Sequence, residues 1–160
     1  MNREEFEQAR IFIYADVKRE ITLAKASQNP FKKLLLRMVG VPSGGGNFMA
    51  ALALLSYTEF AGRLKNNDFS DGNSRRNFDD FFSHLGKEYK EFLASHNVYE
   101  IFRCGLAHEY YVKKDCVIAM RAGSNLRSGV GFDGRQYFFV VEKYFEDFKI
   151  AFSALGNMLV

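Results

Sequence analysis

The chain of 160 residues has the length of one ordinary domain and can bury a proper hydrophobic core. Apolar residues make up 48% and charged residues 26%, a balance that excludes a disordered chain, a collagen and a disulfide scaffold. The 17 phenylalanines predict a core built on Phe. Lysine and arginine number 22 against 19 acidic residues, and the net charge of +3 permits an anionic partner without requiring one.

The first part of the chain carries apolar residues at helical spacing. Steps of three and four residues predict a helix over about Glu4 to Ser27, which Asn29-Pro30 ends. A short basic and apolar stretch, Phe31 to Val39, is a candidate for another short helical piece beside the main helices.

A glycine-rich breaker follows, and Asn47 is a candidate cap for a helix from Phe48 to Lys65. The first turns of that helix are apolar on every side, so we expect it at the centre of the fold. Glu59 lies on it among apolar neighbours, which makes it a candidate partly buried carboxylate. A glycine-rich loop before a helix also invites comparison with a phosphate-binding loop, but the lysine which that motif needs is missing, and a connector is the better interpretation.

Two further amphipathic segments come before the point where the spacing of apolar residues changes from that of a helix to that of a strand. Apolar residues from Phe78 to Phe92 predict a third helix, and a fourth follows from Val98 to His108 after a break at His96-Asn97. His84 and His96 are expected to be ordinary surface residues. No pair of the three histidines has the spacing of a typical zinc site, and the sequence predicts neither a metal nor a cofactor.

Three short segments rich in β-branched and aromatic residues come next: Cys116 to Arg121, Gly129 to Phe132 and Gln136 to Val141. Asp133-Gly134 between the last two is a strong hairpin signal. Apolar residues from Phe145 to Leu159 then predict a C-terminal helix. The fold class is therefore mainly α: an up-and-down helical bundle, in one domain over residues 1–160, with a small antiparallel β-meander at about 116–141 before the last helix.

Cysteine usage and hydropathy predict a cytoplasmic protein. Cys104 and Cys116 are too few for a disulfide framework, and no signal-peptide stretch follows the acidic N-terminus. The longest purely apolar run, Phe48 to Leu55, is far shorter than the ~20 residues of a membrane-spanning helix. We expect no membrane partner.

The residue pair Arg103 and His108 is the strongest candidate for chemistry. A histidine transfers protons near neutral pH, and a guanidinium stabilises charge on phosphate oxygens, so the two together suit phosphodiester chemistry. On a regular helix five positions turn the chain by about 140°, so the two side chains do not share one narrow face. Gly105 between them permits close approach of another backbone.

The pattern Arg103-x4-His108, within the stretch Tyr99-Glu-Ile-Phe-Arg-Cys-Gly-Leu-Ala-His-Glu-Tyr-Tyr, resembles the signature of the HEPN superfamily. The order of elements is similar too, with helices first, the motif on a late helix and a final helix after it. The resemblance implies a homodimer in which two copies of the motif line one cleft.

In many members this arrangement is a metal-independent endoribonuclease. The resemblance implies that His108 acts as general acid or base on the ribose 2′-OH and that Arg103 holds the scissile phosphate, leaving 2′,3′-cyclic phosphate ends. Lys113, Lys114 and Tyr111 are candidates for binding the RNA backbone. Active members often have Asn, Asp or His directly after the arginine, where this chain has Cys104.

A second class of function stays open beside the ribonuclease. In a non-catalytic interaction module, either a dimeric scaffold or the partner of a toxin or antitoxin, Arg103 and His108 are structural. Arg103 would then pair with a carboxylate such as Glu59 or Glu100. A nucleotide-binding role is a third and weaker hypothesis, since the chain lacks an evident carboxylate cluster for magnesium. The geometry around Arg103 distinguishes the first two classes.

Overall fold

The computed structural model describes residues 1–26, 28–42, 46–70, 72–109, 116–121 and 126–158. The helices are α1 (Arg3–Ala26), α2 (Pro30–Met38), α3 (Gly46–Asn66), α4 (Ser74–Ser83), α5 (Lys87–Ser95), a π-helix (Tyr99–Cys104) that runs directly into α6 (Gly105–Glu109), and α7 (Val141–Gly156). Between α6 and α7 lie β1 (Val117–Ala119), β2 (Val130–Phe132) and β3 (Tyr137–Val140). The prediction of a mainly α fold with a small sheet before the last helix is confirmed.

Helix α3 occupies the centre, as its all-round apolar character predicts. It packs against α1, α4 and α7. Its contact with α4 is very close, because a Cβ added at Gly62 would lie 1.8 Å from the carbonyl oxygen of Asn77. A glycine at this position therefore lets the two backbones touch.

The core is built on aromatic side chains, as the composition predicts. The fully buried phenylalanines come from α1, α4, the π-helix, β3 and α7: Phe6, Phe78, Phe81, Phe82, Phe102, Phe139, Phe148 and Phe152. Many of their rings meet edge to face or stacked, for example Phe148 and Phe152 at 5.2 Å between centroids. This single cluster joins the helices to the sheet.

The predicted third helix is wrong in one respect, since the structure divides it into α4 and α5. The break falls at residues 84–86, where Gly86 is among the poorest helix formers. Leu85 is nevertheless buried within the break, and Tyr89 is buried on α5. Because both flanks of the break face the same core, the apolar spacing continues across it and hides the division.

The strands form a mixed sheet in the order β1-β3-β2 rather than a wholly antiparallel meander. β2 and β3 pair antiparallel, with Phe132 opposite Tyr137, around the predicted Asp133-Gly134 turn. β1 pairs parallel with β3 on the other edge, with Ile118 opposite Phe139. The strand with the most buried positions, β3, takes the centre, with β1 and β2 on its two edges.

Polar side chains hold the sheet region to the helices. The Tyr89 hydroxyl on α5 donates to Asp147 Oδ2 on α7 at 2.7 Å and accepts from the backbone N–H of Gly129, also at 2.7 Å. Asn47, predicted to cap α3, lies inside its first turn instead, and its side chain donates to the Ile118 carbonyl at 3.0 Å. Among the described residues, no helix is both long and apolar enough to cross a membrane.

Candidate functional site around Arg103

The π-helix carries Arg103 on its inner side, against α3 and α4. A π-helix has hydrogen bonds from residue i to i+5, so each turn holds more residues than a regular helix does, and such segments are frequent at functional sites. Ile101 and Phe102 of this segment are buried, while the side chain of Arg103 is 22% exposed. The local packing therefore directs Arg103 along the surface of α3.

Glu59 on α3 lies between two arginines. Its Oε2 is 3.3 Å from Nε of Arg103, and its Oε1 accepts a hydrogen bond of 3.1 Å from Nη2 of Arg63. The Glu59 side chain is 11% exposed, so one nearly buried carboxylate faces two partly buried guanidinium groups. The three charges sum to +1.

The contact between Glu59 and Arg103 is electrostatic rather than a well-aligned hydrogen bond. Within the described part of the chain, Oε2 of Glu59 and Nε of Arg103 are buried atoms that make no hydrogen bond. At this distance in a partly buried environment, opposite charges attract strongly even without ideal alignment. The pair is therefore an ion pair whose geometry leaves room to tighten.

Polar groups from α4 and the π-helix complete the surroundings. Ser74 Oγ accepts from Nη2 of Arg63 at 2.7 Å, which fixes that guanidinium between α3 and α4. The Tyr99 ring meets Phe78 edge to face at 5.4 Å. Burial, and then the negative charge of Glu59, raise the pKa of the Tyr99 phenol, which remains neutral and can donate a hydrogen bond at neutral pH.

The side chains of the other predicted site residues lie outside the part of the chain that the structure describes. His108 lies on α6, and its side chain is outside the part of the chain that the structure describes. Tyr111, Lys113 and Lys114 also lie outside the described residues. Among the predicted site residues, Arg103 is therefore the one whose side-chain contacts the structure describes. The roles of the other four residues stay predictions.

The remaining histidines and Cys116 have ordinary structural surroundings. His84 is exposed at the end of α4, with Nδ1 2.7 Å from the Asp80 carbonyl oxygen. His96 stacks on Phe92 at 4.3 Å between ring centroids. Burial raises the pKa of the Cys116 thiol to about 12, so this cysteine is a poor nucleophile near neutral pH.

Sequence reasoning missed Arg63, Ser74 and Tyr99 as neighbours of the motif arginine. The spacing of Glu59 and Arg63, four residues apart on one helix, is a visible signal for an ion pair. Ser74 and Tyr99 gave no such signal, because their positions depend on how α4 and the π-helix pack on α3. The cluster as a whole ties three elements together.

Comparisons with protein-family models, with curated proteins and with solved structures find no match to this chain. The resemblance to the HEPN superfamily therefore rests on the Arg103-x4-His108 pattern and on the order of the elements. What the chain does has to be argued from the surroundings of Arg103.

Proposed function

We propose that this chain is a HEPN-like interaction module that acts as a homodimer and that uses Arg103 structurally. The observation that carries the proposal is the ion pair between Arg103 and Glu59, with side chains 22% and 11% exposed. It is the arrangement expected if the motif arginine holds the fold together. An arginine that serves a scissile phosphate needs its guanidinium available to that phosphate.

The charge of Glu59 also acts against phosphate binding. A carboxylate 3.3 Å from the guanidinium occupies part of its surroundings and repels a phosphodiester that approaches the same group. A phosphate that binds the Nε edge of Arg103 would have to displace Glu59 and leave it nearly buried without that arginine. Leaving a buried charge with one partner fewer is costly. The pair therefore favours a structural role over a substrate-binding role.

A candidate face for the second copy lies where α1 meets α7. Tyr14 and Lys149 line an open cleft of about 760 Å³ there, beside Ile150, which is 71% exposed. Ile11, one turn before Tyr14 on α1, is 60% exposed. Glu146 and Lys149 place both signs of charge at this face, so a second copy can oppose unlike charges across a two-fold axis. Uncovered apolar residues with a charged rim are typical of a protein interface.

Light scattering coupled to size-exclusion chromatography tests the proposed dimer. The chain has a mass of 18.4 kDa, and we expect a species of about twice that mass at micromolar concentration. Ile150→Glu should shift it to the monomer, because the charge would be buried in the interface. Phe69→Glu, at a residue 53% exposed on the turn after α3, is the matched control and should leave the dimer intact. A monomeric parent protein would contradict the proposal.

The second candidate is a metal-independent endoribonuclease, which one specific observation favours. The π-helix ends at Cys104, directly after Arg103, and α6 continues through the position of His108. Of the five steps from position 103 to position 108, only the first lies within the π-helix, so the rotation between the two positions stays close to the 140° of a regular helix. The observation that favours the ribonuclease is therefore the charge: Arg63, Arg103 and Glu59 together keep a net charge of +1, which attracts a phosphate.

A cleavage assay in EDTA separates the two candidates. The purified protein, His108→Ala and the matched control His84→Ala are incubated with a mixed RNA pool, and the ends of the fragments are analysed. The interaction module predicts no cleavage above a blank for all three proteins. Cyclic-phosphate ends made by the parent and by His84→Ala, and lost in His108→Ala, would establish the ribonuclease instead.

A further inference from the structure

Helix α2 presents an apolar face that the described part of the fold leaves exposed. Phe31, Leu34, Leu35 and Met38 follow one another at steps of three and one, so they form one stripe along the helix. Their exposed fractions are 70%, 56%, 47% and 75%. None of residues 30–38, all of which the structure describes, is buried. A stripe of this size left open on a small domain marks a binding surface.

The ends of α2 are specified locally rather than by packing. The Asn29 side chain accepts hydrogen bonds of 3.1 Å from the backbone N–H groups of Phe31 and Lys32. Pro30 occupies the first helical position, where its fixed φ favours a helix start. A helix of 9 residues is marginal by itself in water, so a surface that covers its apolar face would stabilise it.

The side of α2 opposite the apolar stripe carries only positive charges, beside the half-buried Leu36. Lys32, Lys33 and Arg37 are exposed there, and within the described ranges no carboxylate forms an ion pair with any of the three. The sequence contains no aspartate or glutamate from residue 21 to residue 58. Lys33 and Arg37 also border a cleft of about 560 Å³ between α2 and Val41-Pro42. Positive charge therefore flanks the apolar stripe with nothing on the same segment to neutralise it.

We propose that α2 lies on the surface of a membrane that contains anionic lipids. A helix with phenylalanine and leucine on one face and lysine and arginine on the other binds at the interface between headgroups and acyl chains. The apolar stripe would enter that interface while the three basic residues contact lipid phosphates. Lying on a membrane and spanning it require different features, and α2 has those of the first kind. The proposal therefore replaces the expectation of no membrane partner, which rested on the lack of a long apolar run.

The charges on α2 favour a lipid surface over a second copy of the chain. Two α2 helices packed through their apolar stripes would place Lys32 and Arg37, which flank the stripe, opposite only like charges of the other copy, and like charges repel. The candidate dimer face at α1 and α7 carries both signs of charge, so the two surfaces differ in kind. The lipid proposal is independent of whether Arg103 is structural or catalytic.

Co-sedimentation with vesicles tests the proposal directly. The full-length protein is mixed at low salt with vesicles of phosphatidylcholine alone or with 30% phosphatidylglycerol. We expect about 100-fold stronger binding to the anionic vesicles, because each of three basic residues near the surface contributes a severalfold gain. Raising the salt to about 0.5 M should abolish most of that gain, because screening shortens the range of the charges.

Two variants of α2 are compared with matched substitutions elsewhere. Phe31→Ser with Met38→Ser removes apolar area, and Lys32→Glu with Lys33→Glu reverses charge; each should weaken anionic-vesicle binding at least 10-fold. Phe69→Ser, and Lys87→Glu with Lys90→Glu on α5, should bind like the parent. All these side chains are exposed, so folding is not at risk.

Four outcomes overturn the proposal. Binding that is equal for neutral and anionic vesicles would show that the basic residues do not select anionic lipid, and binding that the α2 variants do not change would show that α2 is not the lipid-binding element. An absence of vesicle binding together with a monomer–dimer shift in the α2 variants would assign α2 to a contact between copies. An absence of vesicle binding with an unchanged oligomeric state would also refute it.

Discussion

Oε2 of Glu59 on α3 lies 3.3 Å from Nε of Arg103 on the π-helix, and Arg63 holds the other carboxylate oxygen. One nearly buried side chain thus connects the central helix with the segment that carries the motif. The contact makes Arg103 part of the internal structure. This internal role favours the proposed interaction module over the ribonuclease.

For the stability of the fold, the presence of a positive charge at position 103 should matter more than whether arginine or lysine supplies it. Arg103→Lys keeps a positive charge that can reach Glu59, whereas Arg103→Met removes it and leaves the nearly buried carboxylate with Arg63 alone. Because Arg103 is 22% exposed, we expect Met to lower the free energy of unfolding by about 1–3 kcal/mol and Lys by about half of that. Urea denaturation followed by circular dichroism measures both. Equal losses of unfolding free energy in the Lys and Met variants would show that Arg103 stabilises the fold through the packing of its stem rather than through its charge.

The Tyr89 hydroxyl should be a major anchor of the sheet region. Tyr89→Phe leaves Asp147 Oδ2 without its donor and the Gly129 N–H without its acceptor, both in a buried setting. Each unsatisfied group costs about 1–3 kcal/mol, so we expect a loss of at least 2 kcal/mol in the free energy of unfolding. Tyr57→Phe removes a long, half-buried contact of 3.4 Å to Asp16 and should cost less than about 0.5 kcal/mol. A loss at Tyr89 no larger than that at Tyr57 would contradict this anchoring role.

The close approach of α3 and α4 should not tolerate a methyl group. Gly62→Ala would place its Cβ 1.8 Å from the Asn77 carbonyl oxygen, and a backbone atom cannot rotate away. We expect a loss of about 3 kcal/mol or more, measured as a fall in the urea midpoint. Gly40→Ala is the comparison: its Cβ meets open space at a φ of 74°, so only backbone strain of about 1–2 kcal/mol applies. Similar losses for the two variants would show that α4 can move aside.

The Cys116 thiol should react slowly and in a pH-dependent way. Burial disfavours the thiolate and raises its pKa from 9.0 to about 12, so the thiolate fraction at pH 8 is about 1,000-fold smaller than for an ordinary cysteine. Alkylation by iodoacetamide, followed by mass spectrometry of the Cys116 peptide, should accelerate about 10-fold per pH unit between pH 8 and 10. The same peptide should react rapidly in urea. Rapid alkylation of the folded protein at pH 8 would contradict this account.

The linkage between Cys116 and stability has a definite sign. Between pH 9 and about 12 the folded state keeps a proton that the unfolded state has released. The folded state is therefore destabilised progressively as the pH rises through this window, and Cys116→Ser should make that decline shallower. Below pH 9 both states hold the proton, and this group adds no pH dependence.

The parts of the architecture that depend on one local sequence pattern were predictable from the sequence. The all-round apolar turns of α3 predicted its central position, and Asn29-Pro30 marked the boundary between α1 and α2. The division between α4 and α5 was not predictable, because Leu85 keeps the apolar spacing intact across the break. The parallel pairing of β1 with β3 depends on which strand takes the centre, and no local signal contains that choice.

The candidate site was predictable in part. The sequence named Glu59 and Glu100 as possible partners for Arg103, and the structure pairs Arg103 with Glu59 because the π-helix packs on α3. Arg63 carried a spacing signal of its own, but joining it to Arg103 requires the tertiary contact. The roles of His108, Tyr111, Lys113 and Lys114 stay predictions.

A double-mutant cycle on Glu59 and Arg103 tests the central claim most directly. Glu59→Gln, Arg103→Met and the combined variant are compared with the parent by urea denaturation, which isolates the energy of the pair itself. A structural ion pair predicts a coupling energy of about 1 kcal/mol or more, so that the double variant loses clearly less than the two single losses together. If the double variant loses as much unfolding free energy as the two single variants together, Arg103 and Glu59 do not stabilise each other. The guanidinium would then be available to a phosphate, as the ribonuclease requires.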